Sequence, residues 1–155
     1  SVFYVAKGLI PEAEEEKAKA AVLQINRAGA EREAKEAAEA ERHRLESEAR
    51  DRIRMFHEVL EIDPDDPLAT YGLGKAYIQL NEFPEALPHL QRATEIQKDY
   101  SAAFLDLGKC QEFLGHAADA ASTYRKGIAV ASRKGDLMPM REMERRLKSL
   151  EVASS

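Results

Sequence analysis

The sequence holds 155 residues, 44% hydrophobic and 33% charged, with a formal net charge of −5. That balance suits a helix-rich folded chain, argues against disorder, and disfavours a nucleic-acid partner on electrostatic grounds. One cysteine, Cys110, leaves no internal disulfide to form, and no apolar run approaches the ~18–20 residues that span a bilayer, so a cytoplasmic chain without a membrane segment is expected, with a periplasmic one as the alternative.

Residues 1–11 form an apolar N-terminal segment closed by Pro11. They lack the basic stretch and small-residue cleavage site of a signal peptide. The chain opens on Ser1 without Met, so either an initiator Met was removed or the sequence is a fragment. Phe3 and Tyr4 are too apolar for a free tail and are read as an oligomerisation contact with a second copy, making a dimer.

Residues 12–62 contain no Pro and one Gly and are dense in Ala, Glu, Arg and Lys. They predict one long helix, roughly 75 Å at 1.5 Å per residue, with Gly29 offering a kink or hinge. Ala18, Val22, Ile25 and Gly29 make a seam of about heptad spacing, and a thinner line from Ala30 to Leu60 follows. A sustained heptad, the mark of a long coiled coil, is absent. Two readings stay open. The helix is either solvated and held by Glu–Arg and Glu–Lys pairs, or it packs through Val22 and Ile25 on a second copy or a partner. The run Asp63-Pro64-Asp65-Asp66-Pro67 then ends it, because proline removes a backbone donor and disfavours helix at the residue before it.

Beyond this stop the chain repeats itself at an offset of 34 residues. Leu73-Gly74-Lys75 maps onto Leu107-Gly108-Lys109, Ala86 onto Ala120, and Phe56, Leu90 and Tyr124 fall on one series. Gly74 and Gly108 sit in mid-helix, where Gly costs ~1 kcal/mol relative to Ala; the cost makes sense where a neighbouring helix crosses and no Cβ fits. These residues resemble the tetratricopeptide repeat, over about residues 52–134. One full unit is 67–100, with Thr70-x2-Leu73-Gly74-x2-Tyr77, then Ala86-x3-Leu90 and Ala93. The second is 101–134, with Phe104-x2-Leu107-Gly108-x2-Gln111, then Ala120-x3-Tyr124. Phe56, Val59 and Asp63-Pro64 match a preceding half unit. Thr70, Gln111 and Gly127 depart from the pattern, and Pro88 lies where it can bend a second helix. Lys134-Gly135-Asp136 marks a helix stop and an Asp N-cap. Residues 137–151 then form a capping helix, with Leu137, Met140, Met143, Leu147 and Leu150 inward and Arg141, Glu142, Arg145 and Arg146 toward solvent.

The expected architecture is therefore all-α: a short tetratricopeptide-type helix-turn-helix solenoid with a long N-terminal helix and a C-terminal capping helix. The resemblance implies that the first helix of each unit lines a concave groove holding an extended peptide or partner helix. The groove positions are Leu68, Tyr71, Gly72, Lys75, Ile78 and Gln79, then Ala102, Leu105, Asp106, Lys109, Glu112 and Phe113. Lys75 and Lys109 are expected as two adjacent ammoniums beside apolar Tyr71, Ile78, Leu105 and Phe113, which suits an acidic-hydrophobic peptide. The family's carboxylate-clamp subtype, which binds chaperone C-termini, uses Asn or a basic residue where Asp106 stands, so chaperone tails are disfavoured.

No Walker loop, nucleophile elbow or dinucleotide fingerprint occurs. His43, His57, His89 and His116 form no close ligand pair in sequence, and Cys110 reads as a small buried residue. No enzyme activity, cofactor or metal is expected. The leading function is a scaffold or adaptor that binds a protein through the groove, with the N-terminal helix as a second contact or oligomerisation arm. The alternatives are a self-assembling structural protein and an accessory subunit of an enzyme system.

Overall fold

In a computed structural model of the protein, residues 2–155 are described, with side chains from Pro11 onward. Six helices follow in order: α1 (Val2–Ile62), α2 (Pro67–Gln79), α3 (Phe83–Ile96), α4 (Ser101–Phe113), α5 (Ala117–Lys134) and α6 (Leu137–Ala153). The chain divides into two units, Ser1–Leu45 and Glu46–Ser155.

The first unit is helical. The backbone of α1 takes in the residues ahead of Pro11 that the sequence sets apart, and it passes through Gly29 without a break. The side chains of Phe3 and Tyr4 lie outside the described residues. Exposed pairs one turn apart line the helix, among them Lys19–Glu15 and Arg27–Glu31, each at 2.9 Å. Val22, Leu23 and Ile25 are 55%, 68% and 71% exposed.

The second unit is the stack. After Asp63-Pro64, Asp66 caps α2 by accepting the Ala69 N–H on Oδ1 at 2.7 Å. Gly115 and Gly135 take the left-handed conformation (φ 78° and 75°) that ends α4 and α5 with no Cβ penalty. Asp136 stands at the N-cap of α6, but its carboxylate caps no backbone N–H and accepts the Ser101 hydroxyl instead, at 2.6 Å. Pro88 lies early in α3, within the helix.

The mid-helix glycines have the cause the sequence suggests. A Cβ at Gly74 would lie 2.6 Å from Leu90 Cγ, and one at Gly108 would lie 2.7 Å from Tyr124 Cδ1 and Cζ and closer still to Cε1. Gly72 meets Phe56 in the same way, at 2.5 Å. So Phe56, Leu90 and Tyr124 each press on a glycine of a first helix. Gly127, a departure from the repeat pattern, admits the Met143 sulfur and the Phe104 side chain. The other departures are also buried. Thr70 donates its hydroxyl to the Asp66 carbonyl at 2.7 Å, and Gln111 accepts from Thr123 at 2.7 Å. One core layer gathers Ala86, Leu90, Leu107 and Cys110, and the next gathers Phe104, Ala120, Tyr124, Val130, Ala131 and Met143.

Helix α6 packs on α5 through Met143, with Met140, Leu147 and Leu150 around it, but Leu137 is 54% exposed rather than inward. Helices α2, α4 and α6 start at 67, 101 and 137, so the spacing is 34 and then 36 residues. Counted from its own start, α6 is a third first helix running two residues out of phase. Met143 then falls at the place of Leu107 and Arg145 at that of Lys109. The fixed 34-residue period hides this, because α5 is 18 residues long and α3 only 14.

Candidate protein-binding face

Within the stack α4 touches both α2 and α6, whereas α3 and α5 make no mutual contact. The first helices are thus on the inside of the curve and the second helices are fanned outside. Contacts between these first helices join Tyr71, Lys75, Asp106, Lys109 and Glu112 in two networks.

In the first network the Lys75 ammonium lies 3.2 Å from Asp106 Oδ2, and the Tyr71 hydroxyl donates to the same oxygen at 2.6 Å. Asp106 is buried, and Tyr71 stands edge-on to Tyr100 with ring centroids 5.0 Å apart. Burial, reinforced by the Asp106 charge, pushes the Tyr71 phenol far above its ordinary range. The phenol therefore remains a hydrogen-bond donor.

In the second network Lys109 reaches Glu142 Oε1 at 3.1 Å, and Arg146 Nε donates to that oxygen, also at 3.1 Å. Arg146 Nη1 lies 3.3 Å from Glu112 Oε1, which also accepts the Tyr124 hydroxyl. Burial acts to raise the Glu142 carboxyl, but hydrogen bonds from Lys109 and Arg146 outweigh it and hold the group below its ordinary value. Burial also pushes the Tyr124 phenol up, with Glu112 adding to the effect.

These pairs correct one expectation. Lys75 and Lys109 are not two bare ammoniums, because each is neutralised by a carboxylate from the next first helix. A reversal at Lys75 would set a second carboxylate against Asp106. Glu142 and Arg146, expected in solvent, are half-buried parts of the stack.

The sequence reading missed the third member of the series. Arg145 continues the series on α6, and Arg141 stands one turn before it. Among the described residues no carboxylate pairs with either guanidinium, and both are exposed. They line a shallow pocket with Met138 and Glu142. The signal was the recurrence of Lys75 and Lys109, which continues to Arg145 once helix starts are aligned.

Other groove residues are placed differently. Phe113 is 73% exposed at the end of α4 and stacks on Phe83 of α3, with centroids 4.1 Å apart. Leu105 is half-buried against the second core layer, and Ala102 is half-buried on α4. Ile78 and Gln79 line a cavity of about 400 Å³ with Arg52 and Phe56 from the end of α1 and Gly72 and Lys75 of α2. Away from the inner face, His57 and His89 come within 6.0 Å, and Tyr77 stacks on His89 at 5.7 Å. Among the described residues no group of three or more His, Cys, Asp or Glu gathers as a metal site, and no helix is long and apolar enough to cross a membrane.

Two family models described as tetratricopeptide repeat match residues 32–95 and 71–136. TPR repeat-containing protein PA0015 of Pseudomonas aeruginosa is 36% identical over 101 residues, 65% of this chain and 96% of that protein. The chain belongs to the tetratricopeptide-repeat family. DnaJ homolog subfamily C member 3 of Rattus norvegicus is 30% identical over 76 residues, which are 49% of this chain but 15% of that protein. Among solved structures, protein BPP2914 from Bordetella parapertussis is 31% identical with a TM-score of 0.57, covering 65% of this chain and 88% of that one. PcrH in complex with the chaperone-binding region of PopD has a TM-score of 0.66 at 16% identity, over 70% of this chain and 83% of that one, a likeness of fold alone.

Proposed function

We propose that this protein is a non-catalytic adaptor whose inner face, formed by α2, α4 and α6, binds an acidic-hydrophobic segment of a partner protein. The observation that carries the reading is the run Lys75, Lys109, Arg145. The first two cations are neutralised by the following helix, and the third, exposed with Arg141 beside it, pairs with no carboxylate among the described residues and is open to one from a partner. Exposed Met138 gives apolar contact next to them. A cationic end on a chain of net charge −5 steers an acidic ligand to one place. Proteins of the same fold lend support: PcrH was solved in complex with the chaperone-binding region of PopD, and the TPR2B domain of yeast Sti1 in complex with pHsp70. Asp106, buried among the groove residues, still argues against a chaperone tail as the partner here.

The test is fluorescence anisotropy with a labelled peptide of alternating Leu and Glu. Arg141→Glu with Arg145→Glu should weaken binding by about tenfold or more, since each guanidinium faces an outside charge. Helical circular dichroism and melting temperature should stay unchanged, because neither side chain has a partner within the stack. Equal binding by the double variant overturns the reading.

A further inference from the structure

The acids that neutralise the inner face begin one helix late. Asp106 of α4 takes the Lys75 ammonium, and Glu142 of α6 takes that of Lys109. Counted from the helix starts, the same place on α2 is Gly72, which has no side chain to offer. Arg52 of α1 donates to the Gln79 side-chain oxygen and pairs with no carboxylate among the described residues. Arg52 and Gly72 line one cavity of about 400 Å³, to which Phe56, Ala76 and Ile78 give apolar walls. Its size and lining are those of a ligand pocket, typically ~300–1,000 Å³ and apolar with a few polar groups that fix orientation.

The cavity also has a fixed relation to the arginine pair of α6. Gly72 and Lys75, which both line it, hold on α2 the places of Glu142 and Arg145 on α6. Cavity and arginines therefore share one face of the stack, two helices apart. Neighbouring helices pack at ~8–10 Å, so the separation is roughly 16–20 Å, or about six residues of extended chain at ~3.3 Å each. The floor between them makes no charge demand, because Lys75 and Lys109 are already neutralised. We propose that the cavity takes a Phe or Leu side chain of the partner segment, with an adjoining carboxylate on Arg52, about six residues from the carboxylates that meet Arg141 and Arg145. The ligand thus brings the acid that α2 lacks at Gly72. This inference rests on the reading of the inner face given above, and it names the spacing and the side chain which that face selects.

The probe is a labelled peptide that reads Glu-Phe, then a Ser spacer, then Glu-Glu, with Phe about six residues before the acidic pair. Fluorescence anisotropy with the full chain should show binding that weakens at least ~10-fold when the peptide Phe becomes Ala. With the spacer cut to about two residues the same change should matter little, because Phe no longer reaches the cavity. Arg52→Glu should weaken the Glu-Phe peptide about tenfold, and a Lys-Phe peptide should recover the loss on that variant, with circular dichroism as the check on folding. The methyl resonances of Ile78 should move with the Phe peptide and stay in place with the Ala one. Equal binding of the Phe and Ala peptides, or unmoved Ile78 resonances at saturation, overturns the cavity assignment even where Arg141→Glu with Arg145→Glu abolishes binding, so the reading of the inner face then stands without it. Binding that ignores Arg141 and Arg145 overturns that reading, and the six-residue spacing falls with it.

Discussion

Gly108→Ala tests the glycine seats with one methyl group. The new Cβ would lie 2.7 Å from Tyr124 Cδ1 and Cζ, with Cε1 closer still. Carbon atoms pack at ~3.5–4.0 Å, so the ring must withdraw by about 1 Å. It cannot do so freely: Tyr124 is fully buried, and its hydroxyl is tied to Glu112, which Arg146 holds in turn. Overpacking of this kind costs ~1–3 kcal/mol, and the tether argues for the upper end. Replacing a mid-helix glycine by alanine returns ~1 kcal/mol. The net expectation is a loss of about 2 kcal/mol, a fall in melting temperature of roughly 4–8 °C for a chain of this size. Urea denaturation followed by circular dichroism measures it, with a double-mutant cycle to assign the cause. In a Tyr124→Ala background the clash is gone, and Gly108→Ala should become stabilising. If Gly108→Ala is stabilising with Tyr124 in place, the seat does not exist as described.

Lys75→Glu should lower stability by about 1–2 kcal/mol, since it replaces the cation beside buried Asp106 with a like charge, in contrast to the silent Arg141 and Arg145 reversals; thermal melts of the three variants check this. His89 is held below its ordinary value of 6.5, first by burial and then by the His57 charge. The unfolded chain therefore takes up a proton there before the folded chain does, so stability falls as pH drops below about 6.5 and levels off once the folded group has also titrated. His89→Gln should flatten that part of a stability–pH curve, and an unchanged slope would contradict the assignment. Burial pushes the Cys110 thiol up to about 11, and its Sγ donates to the Phe83 carbonyl at 3.3 Å. It should react with a thiol reagent only on global unfolding, so labelling at the rate of exposed cysteines would place it wrongly.

The sequence determined the architecture because its signals are local and recur. Helix-forming composition made α1, Asp63-Pro64 stopped it, and the coincidences at 34 residues fixed two helix pairs with glycine at each crossing. It also placed Lys75, Asp106 and Lys109 on the inner face. What it left open depends on distances between helices that no spacing encodes. A lysine reads as a free charge until the next helix is seen to bring a carboxylate to 3.2 Å, as Asp106 does for Lys75. The length of α5 shifts α6 by two residues, so the fixed period does not show that Arg145 continues the series of Lys75 and Lys109. Gly127, a blemish in the repeat pattern, became legible only when Met143 was found in its place. Periodicity sets which residues share a face; only packing decides which of them are already spoken for.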